Sequence, residues 1–273
     1  MTKFAGTERY VLDPDLAEAV NVAIALEMPL LVKGEPGTGK TLLAHEVSRA
    51  LRLPLFILNV KSTMKAVEAL YQYDALTRLN DSRFGDSKRD VGNIKDYIRL
   101  GKIGQAFASP ERAVLLVDEI DKADPEFQDD LLDVLDQMSF DLLEVDETVK
   151  AKHRPVMIVT SNAKRDLSDP FLGRCIFHHI AFPAPEMMER IIHAHFPDLA
   201  EALVAQVLEV FYALRSVARI EKKPATRELV NWIRALTIED VAPADLRARA
   251  PFLGVLLKKS EDLELGRQAL RRR

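Results

Sequence analysis

The sequence predicts an α/β fold, a doubly wound parallel five-stranded sheet, followed by a small all-helical domain. Three observations predict it. Short apolar runs with little alternation recur at 29–32, 55–60, 113–117, 155–160 and 176–182. The intervening stretches carry helical periodicity, which makes the runs strands of a parallel sheet covered on both faces and joined by right-handed crossovers. After Pro183 and Pro185 no strand-like run follows. The predicted division is therefore a core of residues 1–184 and a helical domain of residues 185–273.

Each element has a local reason. Asp13-Pro14 opens the first helix, 17–27, with Asp as N-cap and Pro at the first helical position. Residues 40–51 place Leu43, Val47 and Leu51 on one helical face. Residues 67–79 read as a helix and 81–93 as a polar loop. In 125–138, Phe127, Leu131, Leu135 and Met138 are in helical register. Residues 140–145 and 148–153 flank Asp146-Glu147 and predict a hairpin. Beyond the boundary, 187–195, 199–219, 226–236 and 243–258 read as helices. Trp232 falls on a core face with Leu229, Ile233 and Leu236. Residues 258–273, ending in Arg271-Arg272-Arg273, read as a charged, solvated tail that frays.

Composition narrows the class. The chain has 273 residues, 48% apolar and 29% charged, enough for one large or two ordinary domains with a real core. The net charge of −4 argues against a nucleic-acid coat and a basic membrane-surface protein. The single cysteine, Cys175, cannot form an internal disulfide and reads as a packing residue. The most apolar stretch, 20–32, is interrupted by Glu27 and Pro29, and residues 1–10 carry no apolar signal core. The expectation is a soluble cytoplasmic protein without membrane insertion. His178-His179 lie on a strand and His193 and His195 are two apart on a helix, so each pair diverges and no bound transition metal is expected.

The strongest chemical signal is Gly34-Glu35-Pro36-Gly37-Thr38-Gly39-Lys40-Thr41, which fits G-x-x-x-x-G-K-[ST] between a strand and a helix. A triphosphate is a dense anion. Glycines let backbone N–H groups close on it, and the helix N-terminus adds a favourable dipole. Lys40 brings a charge to the β/γ-phosphates, and the Thr41 hydroxyl is a Mg²⁺ ligand. The second signal is Val114-Leu115-Leu116-Val117-Asp118-Glu119, an apolar strand ending in two acids. Asp118 there would hold Mg²⁺, and Glu119 would polarise the attacking water. The guanine-reading N-K-x-D pattern does not fit at Asn162, so ATP with Mg²⁺ is the expected pair.

With these motifs in place the chain resembles the AAA+ ATPases of the P-loop NTPase fold, over most of its length. Within them it is similar to the MoxR family, including the branch associated with carbon monoxide dehydrogenase maturation. The narrower match rests on Leu70-Tyr71-Gln72-Tyr73-Asp74-Ala75-Leu76, and on Thr148-Val149-Lys150-Ala151-Lys152-His153-Arg154-Pro155 followed by Thr160-Ser161-Asn162. The resemblance implies roles. Asn162 looks like the sensor-1 residue that holds the attacking water, or else a capping Asn. Arg174 looks like an arginine finger that completes a neighbouring subunit's site, or else a structural Arg. Arg227, at the start of a helix, resembles sensor 2 of the lid, or else a solvated first-turn Arg. Asn59 sits where a polar residue often restrains the catalytic Glu. The region 61–105 and the hairpin near Asp146 look like inserts of that family.

The resemblance further implies a homo-oligomeric ring, six subunits by family expectation, a von Willebrand A-domain partner and a metalloenzyme client. The leading expectation is an ATP hydrolase that remodels a protein client. A nucleic-acid motor or loader of the same fold, and a nucleotide-gated scaffold with negligible hydrolysis, are the alternatives. Acidic balance speaks against the first. Glu119 and Asn162 speak against the second.

Overall fold

The computed structural model describes residues 3–7, 10–85, 89–162, 165–241, 243, 246 and 250–271. In chain order the elements are α1 (Pro14–Leu26), β1 (Leu30–Gly34), α2 (Lys40–Leu51), β2 (Leu55–Asn59), α3 (Ala66–Leu70), β3 (Tyr71–Tyr73) and α4 (Ala75–Phe84). There follow β4 (Ile98–Leu100), α5 (Lys102–Ala108), β5 (Val114–Asp118), α6 (Pro125–Gln137), β6 (Ser139–Leu142), β7 (Glu147–Lys150), β8 (Val156–Ser161), α7 (Asp169–Gly173) and β9 (Ile176–Ile180). The last helices are α8 (Pro185–His195), α9 (Glu201–Arg215), α10 (Thr226–Ile238), α11 (Leu253–Leu256) and α12 (Ser260–Arg271). No helix among the described residues is long and apolar enough to cross a membrane.

The chain divides into two compact units. The first comprises Met1–Gly6, Leu12–Gly34 and Lys40–Ile180; the second comprises Thr7–Val11, Glu35–Gly39 and Ala181–Arg273.

In the first unit the predicted parallel five-stranded sheet has the order β2-β5-β8-β1-β9. Its central strands are buried at their apolar residues because these carry side chains to both faces: Val114, Leu115, Leu116 and Val117 have no exposed surface. Each such side chain contributes about 1.5–3 kcal/mol relative to exposure. Leu31, Leu115, Val117, Met157 and Val159 meet Phe107, Phe127, Leu131 and Phe171 in one core. Helix α6 starts where the Asp124 carboxylate accepts the Phe127 N–H at 2.9 Å and Pro125 presets the first turn. The register fixes where the strands end. Asn59 pairs with Asp118, Val117 with Val159, Lys33 with Ser161, and Gly34 with Ile180. The carboxyl ends of all five strands therefore share one edge, where open α/β sheets bind ligands.

Part of the first unit differs from the prediction. The helix expected over 67–79 is broken by β3, whose Tyr71 and Tyr73 pair antiparallel with Leu100 and Ile98 of β4. A buried Tyr71 stacks against Phe140 at 6.1 Å, and its hydroxyl accepts the Leu143 N–H at 3.2 Å. Both partners are distant in sequence, so the helical spacing of the apolar residues was misleading. The polar loop begins later than predicted, because α4 runs to Phe84 and closes on Gly85 in the left-handed conformation. Residues 86–88 of that loop lie outside the described residues. The hairpin is present, as β6 paired with β7.

In the second unit Trp232, Phe211, Leu229 and Ile233 centre a separate helical core, and the Trp232 indole donates to the Pro251 carbonyl at 2.8 Å. The expected fraying tail is instead α12. Its Asp262 is 1% exposed and accepts the backbone N–H groups of Glu221 (3.0 Å) and Lys222 (3.2 Å). Gly266 lies against Leu257, Leu214 and Leu253, where a Cβ would come 2.6 Å from the Leu257 side chain. Charge on the outer face hid this buried stripe from a reading by composition. Of the helix expected over 243–258, Leu253–Leu256 is helical; residues 244–245 and 247–249 lie outside the described residues, as do Arg272 and Arg273.

Candidate functional site

At the shared strand edge of the first unit the phosphate-loop strand, the acid pair and the fourth core strand converge. Helix α2 begins at Lys40, whose side chain is buried and donates to the Gly34 carbonyl at 2.9 Å. One residue on, the Thr41 hydroxyl meets the Asp118 carboxylate at 3.0 and 3.2 Å. These two residues are 77 apart in sequence and come together because β1 and β5 end at the same level. A hydroxyl and a carboxylate are hard oxygen donors of the kind Mg²⁺ takes, so the pair fits that ion.

A residue without a predicted role organises the acids. Thr160, with no exposed surface, donates its hydroxyl proton to Asp118 at 2.6 Å and accepts the Glu119 N–H at 2.9 Å. That second bond matters because Glu119 has φ 60° and ψ 49°, left-handed backbone that an L-residue adopts only at a cost of about 1–3 kcal/mol. The turn aims the Glu119 carboxylate at Asn162, whose side-chain amide donates to it at 2.8 Å. The other carboxylate oxygen pairs with Lys122 one turn later. That bond to Glu119 holds the Lys122 ammonium above the ordinary lysine range. The Asn162 backbone N–H donates to the buried Asp121 at 3.1 Å, which pins the strand end.

Thr41 thus meets Asp118, and Glu119 meets Asn162. Asn59 is exposed and, among the described residues, makes no bond to Glu119; Lys122 and Asn162 take that restraining part. A polar Thr160 ending an apolar strand was the available signal for its role, and the three-residue spacing of Glu119 and Lys122 was the signal for theirs.

Arg174 is not at this edge. It precedes β9, at the amino end of the sheet, and β9 with its five residues spans about 16 Å. Its Nε donates to Asp136 at 2.6 Å and its Nη1 to the Pro170 carbonyl at 3.1 Å, and the side chain is 42% exposed. Cys175 beside it is a half-buried residue packed against the core, and burial pushes its thiol up to about 12.

In the second unit the loop tip shows why its glycines are there. Gly37 and Gly39 have φ +81° and +91°; a Cβ on Gly37 would lie 2.6 Å from Ala225 Cβ, and one on Gly39 would lie 3.2 Å from the Tyr10 ring. Thr38 closes the tip by donating to the Glu35 carbonyl at 2.9 Å; Pro36 is exposed. Ala225 is the N-cap of α10, and Arg227, two residues on, is exposed. An arginine that the sequence did not single out, Arg215, binds Glu35 at 2.9 Å and the Pro224 carbonyl at 2.6 Å, with its guanidinium over Phe182. His193 pairs with Glu201 at 3.5 Å, and Glu189 lies within ligand distance of both, a grouping across two helices that the histidine spacing alone did not suggest.

Residues 29–175 match the family model described as AAA domain (dynein-related subfamily). The chain belongs to this AAA family. It therefore carries an ATP-hydrolysing domain, and the matched span covers the phosphate loop, the acid pair, Asn162 and Arg174. Among curated proteins it is similar to the Nif-specific regulatory protein of Azotobacter vinelandii, 28% identical over 185 residues. That match takes in 65% of this chain but 32% of the relative, so the chain spans about a third of that protein's length.

Proposed function

We propose that this chain is a MoxR-type AAA ATPase that assembles into a ring and couples ATP hydrolysis to remodelling a protein client. The observation that carries the hydrolytic part is the Thr160-organised cluster, which sets Glu119 beside Asn162 and a Thr41–Asp118 pair. The residues take the following parts. The loop from Gly34 through Glu35, Pro36, Gly37, Thr38 and Gly39 cradles the phosphates of ATP with its backbone, and Lys40 adds charge. Thr41 and Asp118 would hold Mg²⁺, which when bound neutralises phosphate charge. Glu119 takes a proton from the attacking water, Asn162 orients that carboxylate and the water, and Lys122 competes for the same carboxylate until the site is filled. Arg227 acts as sensor 2.

The position of Arg174 supports the ring. A finger on the amino edge of the sheet lies too far from its own Glu119, but fits a neighbour's phosphates in a head-to-tail contact, and such contacts close into a cyclic oligomer. Six subunits, a von Willebrand A-domain partner and a metalloenzyme client belong to the same reading. They are supported by the resemblance and by the long 61–105 insert with its β3–β4 ribbon. The test mixes two inactive variants. Arg174→Ala and Lys40→Ala should each lose turnover alone and regain part of it when co-assembled, because each supplies what the other lacks. Mixed rings that form and stay inactive would rule out a finger acting in trans.

A further inference from the structure

The contact between Arg174 and Asp136 has features of a holding position. Asp136 lies in the last turn of α6, where the helix dipole disfavours a carboxylate. It also follows Glu126, Asp129, Asp130 and Asp133 on the exposed side of a helix with no basic residue in its last turn. A carboxylate so placed needs a cation, and Arg174 supplies it. Both side chains are half exposed, 42% and 47%, so the pair is weak and can open.

A second arginine stands ready in the same place. Asp136, Arg154 and Arg174 line one cleft of about 200 Å³. Arg154 donates one N–H to the carbonyl of Leu135, the residue before Asp136, at 3.3 Å. Its Nε is buried and has no acceptor among the described residues. A buried guanidinium N–H without a partner is rare and calls for an acceptor.

Resting on the reading of Arg174 as a finger in trans, we propose that Asp136 holds Arg174 on its own chain until a neighbour docks, and that Arg154 then takes over the Asp136 carboxylate. Asp136 and Arg154 are positioning residues. The exchange leaves no carboxylate unpaired at the α6 terminus and gives Arg154 Nε its acceptor. It also makes finger release part of assembly, so that a solitary chain does not present the arginine.

The experiment is steady-state phosphate release per subunit across a protein concentration series. Asp136→Asn keeps the shape and removes the charge. It should reach half-maximal rate at about two- to five-fold lower protein concentration, with the same plateau. Arg154→Gln should need about two- to five-fold more protein, and that shift should vanish in the Asp136→Asn background. Arg154→Lys, which keeps a cation for Asp136, should match the wild type and shows that the site folds. An unshifted or rightward Asp136→Asn curve, or an Arg154→Gln shift that persists without the Asp136 charge, overturns the proposal. Full plateau turnover by Arg174→Ala would instead remove the finger reading itself. Loss of turnover there, with an unshifted Asp136→Asn, removes only the holding role.

Discussion

Replacing Thr160 with Val tests the organisation of the site without touching its charges. The two side chains have nearly the same shape, and Thr160 has no exposed surface, so the cavity stays filled. What is lost is the 2.6 Å bond to Asp118 and the 2.9 Å bond from the Glu119 N–H. A bond to a charged group contributes about 1.5–3 kcal/mol, a neutral one about 1 kcal/mol, and a buried N–H left unpaired costs a further share of about 1–3 kcal/mol. Allowing for relaxation, the expected loss is about 2–4 kcal/mol. At about 2–4 °C per kcal/mol for a domain of this size, the melting temperature should fall by roughly 5–15 °C. Turnover should fall further than stability alone explains. The left-handed Glu119 turn loses its anchor, and a shift of about 1 Å in a catalytic group costs up to about 100-fold. Circular dichroism melting gives the first quantity and phosphate release below the transition gives the second. Thr160→Ser, which keeps the hydroxyl, is the control and should retain most of both. A Val variant as stable and as active as wild type would refute the anchoring role.

Three further outcomes follow from single residues. Asp262→Ala should destabilise the helical unit by about 2–4 kcal/mol, because two backbone N–H groups lose their acceptor; denaturation followed by the lone, fully buried Trp232 reads this directly, and an unchanged midpoint would contradict it. Burial pushes the Cys175 thiol up to about 12, so alkylation of the folded protein near pH 8 should run about a thousandfold slower than for a free thiol of pKa about 8.5, with full reactivity returning in denaturant; equal rates would contradict the buried site. Burial also lowers His178 and His195 below the ordinary imidazole range. The unfolded chain then binds more protons as the pH falls below about 6.5, so stability present above that value should be lost toward acid, through the depressed pKa values. His178→Gln should flatten part of a melting-temperature series from about pH 7.5 to about pH 5, and a wild-type series that rises toward acid would contradict the assignment.

The parts of the fold that were legible in the sequence are those decided locally. The Asp13-Pro14 start, the Asp124-Pro125 cap and the all-apolar run before Asp118 each depend on neighbours within a few residues. The phosphate loop was legible because its glycines answer a backbone requirement that leaves a fixed spacing. What was not legible depends on partners distant in sequence. Tyr71 turns into a strand because Leu100 and Phe140 are there to meet it. The charged terminal segment folds because Asp262 reaches back to Glu221 and Lys222. In the site, Glu119 and Asn162 carried motif signals. Thr160 offered only a polar side chain near the end of an apolar strand, since its function comes from two bonds across the sheet. Arg174 could be named from its motif, but only the structure shows its guanidinium on Asp136 and a second arginine lining the same cleft.

In the proposed reaction Glu119, held by Asn162 beside the Thr41–Asp118 pair, activates the water that cleaves ATP. Phosphate release by Glu119→Gln, measured beside ATP binding by the same assembled protein, tests it most directly. Binding should stay close to wild type with turnover reduced by about 100-fold or more, the range a positioned general base contributes. Turnover equal to wild type by protein that binds ATP would contradict it.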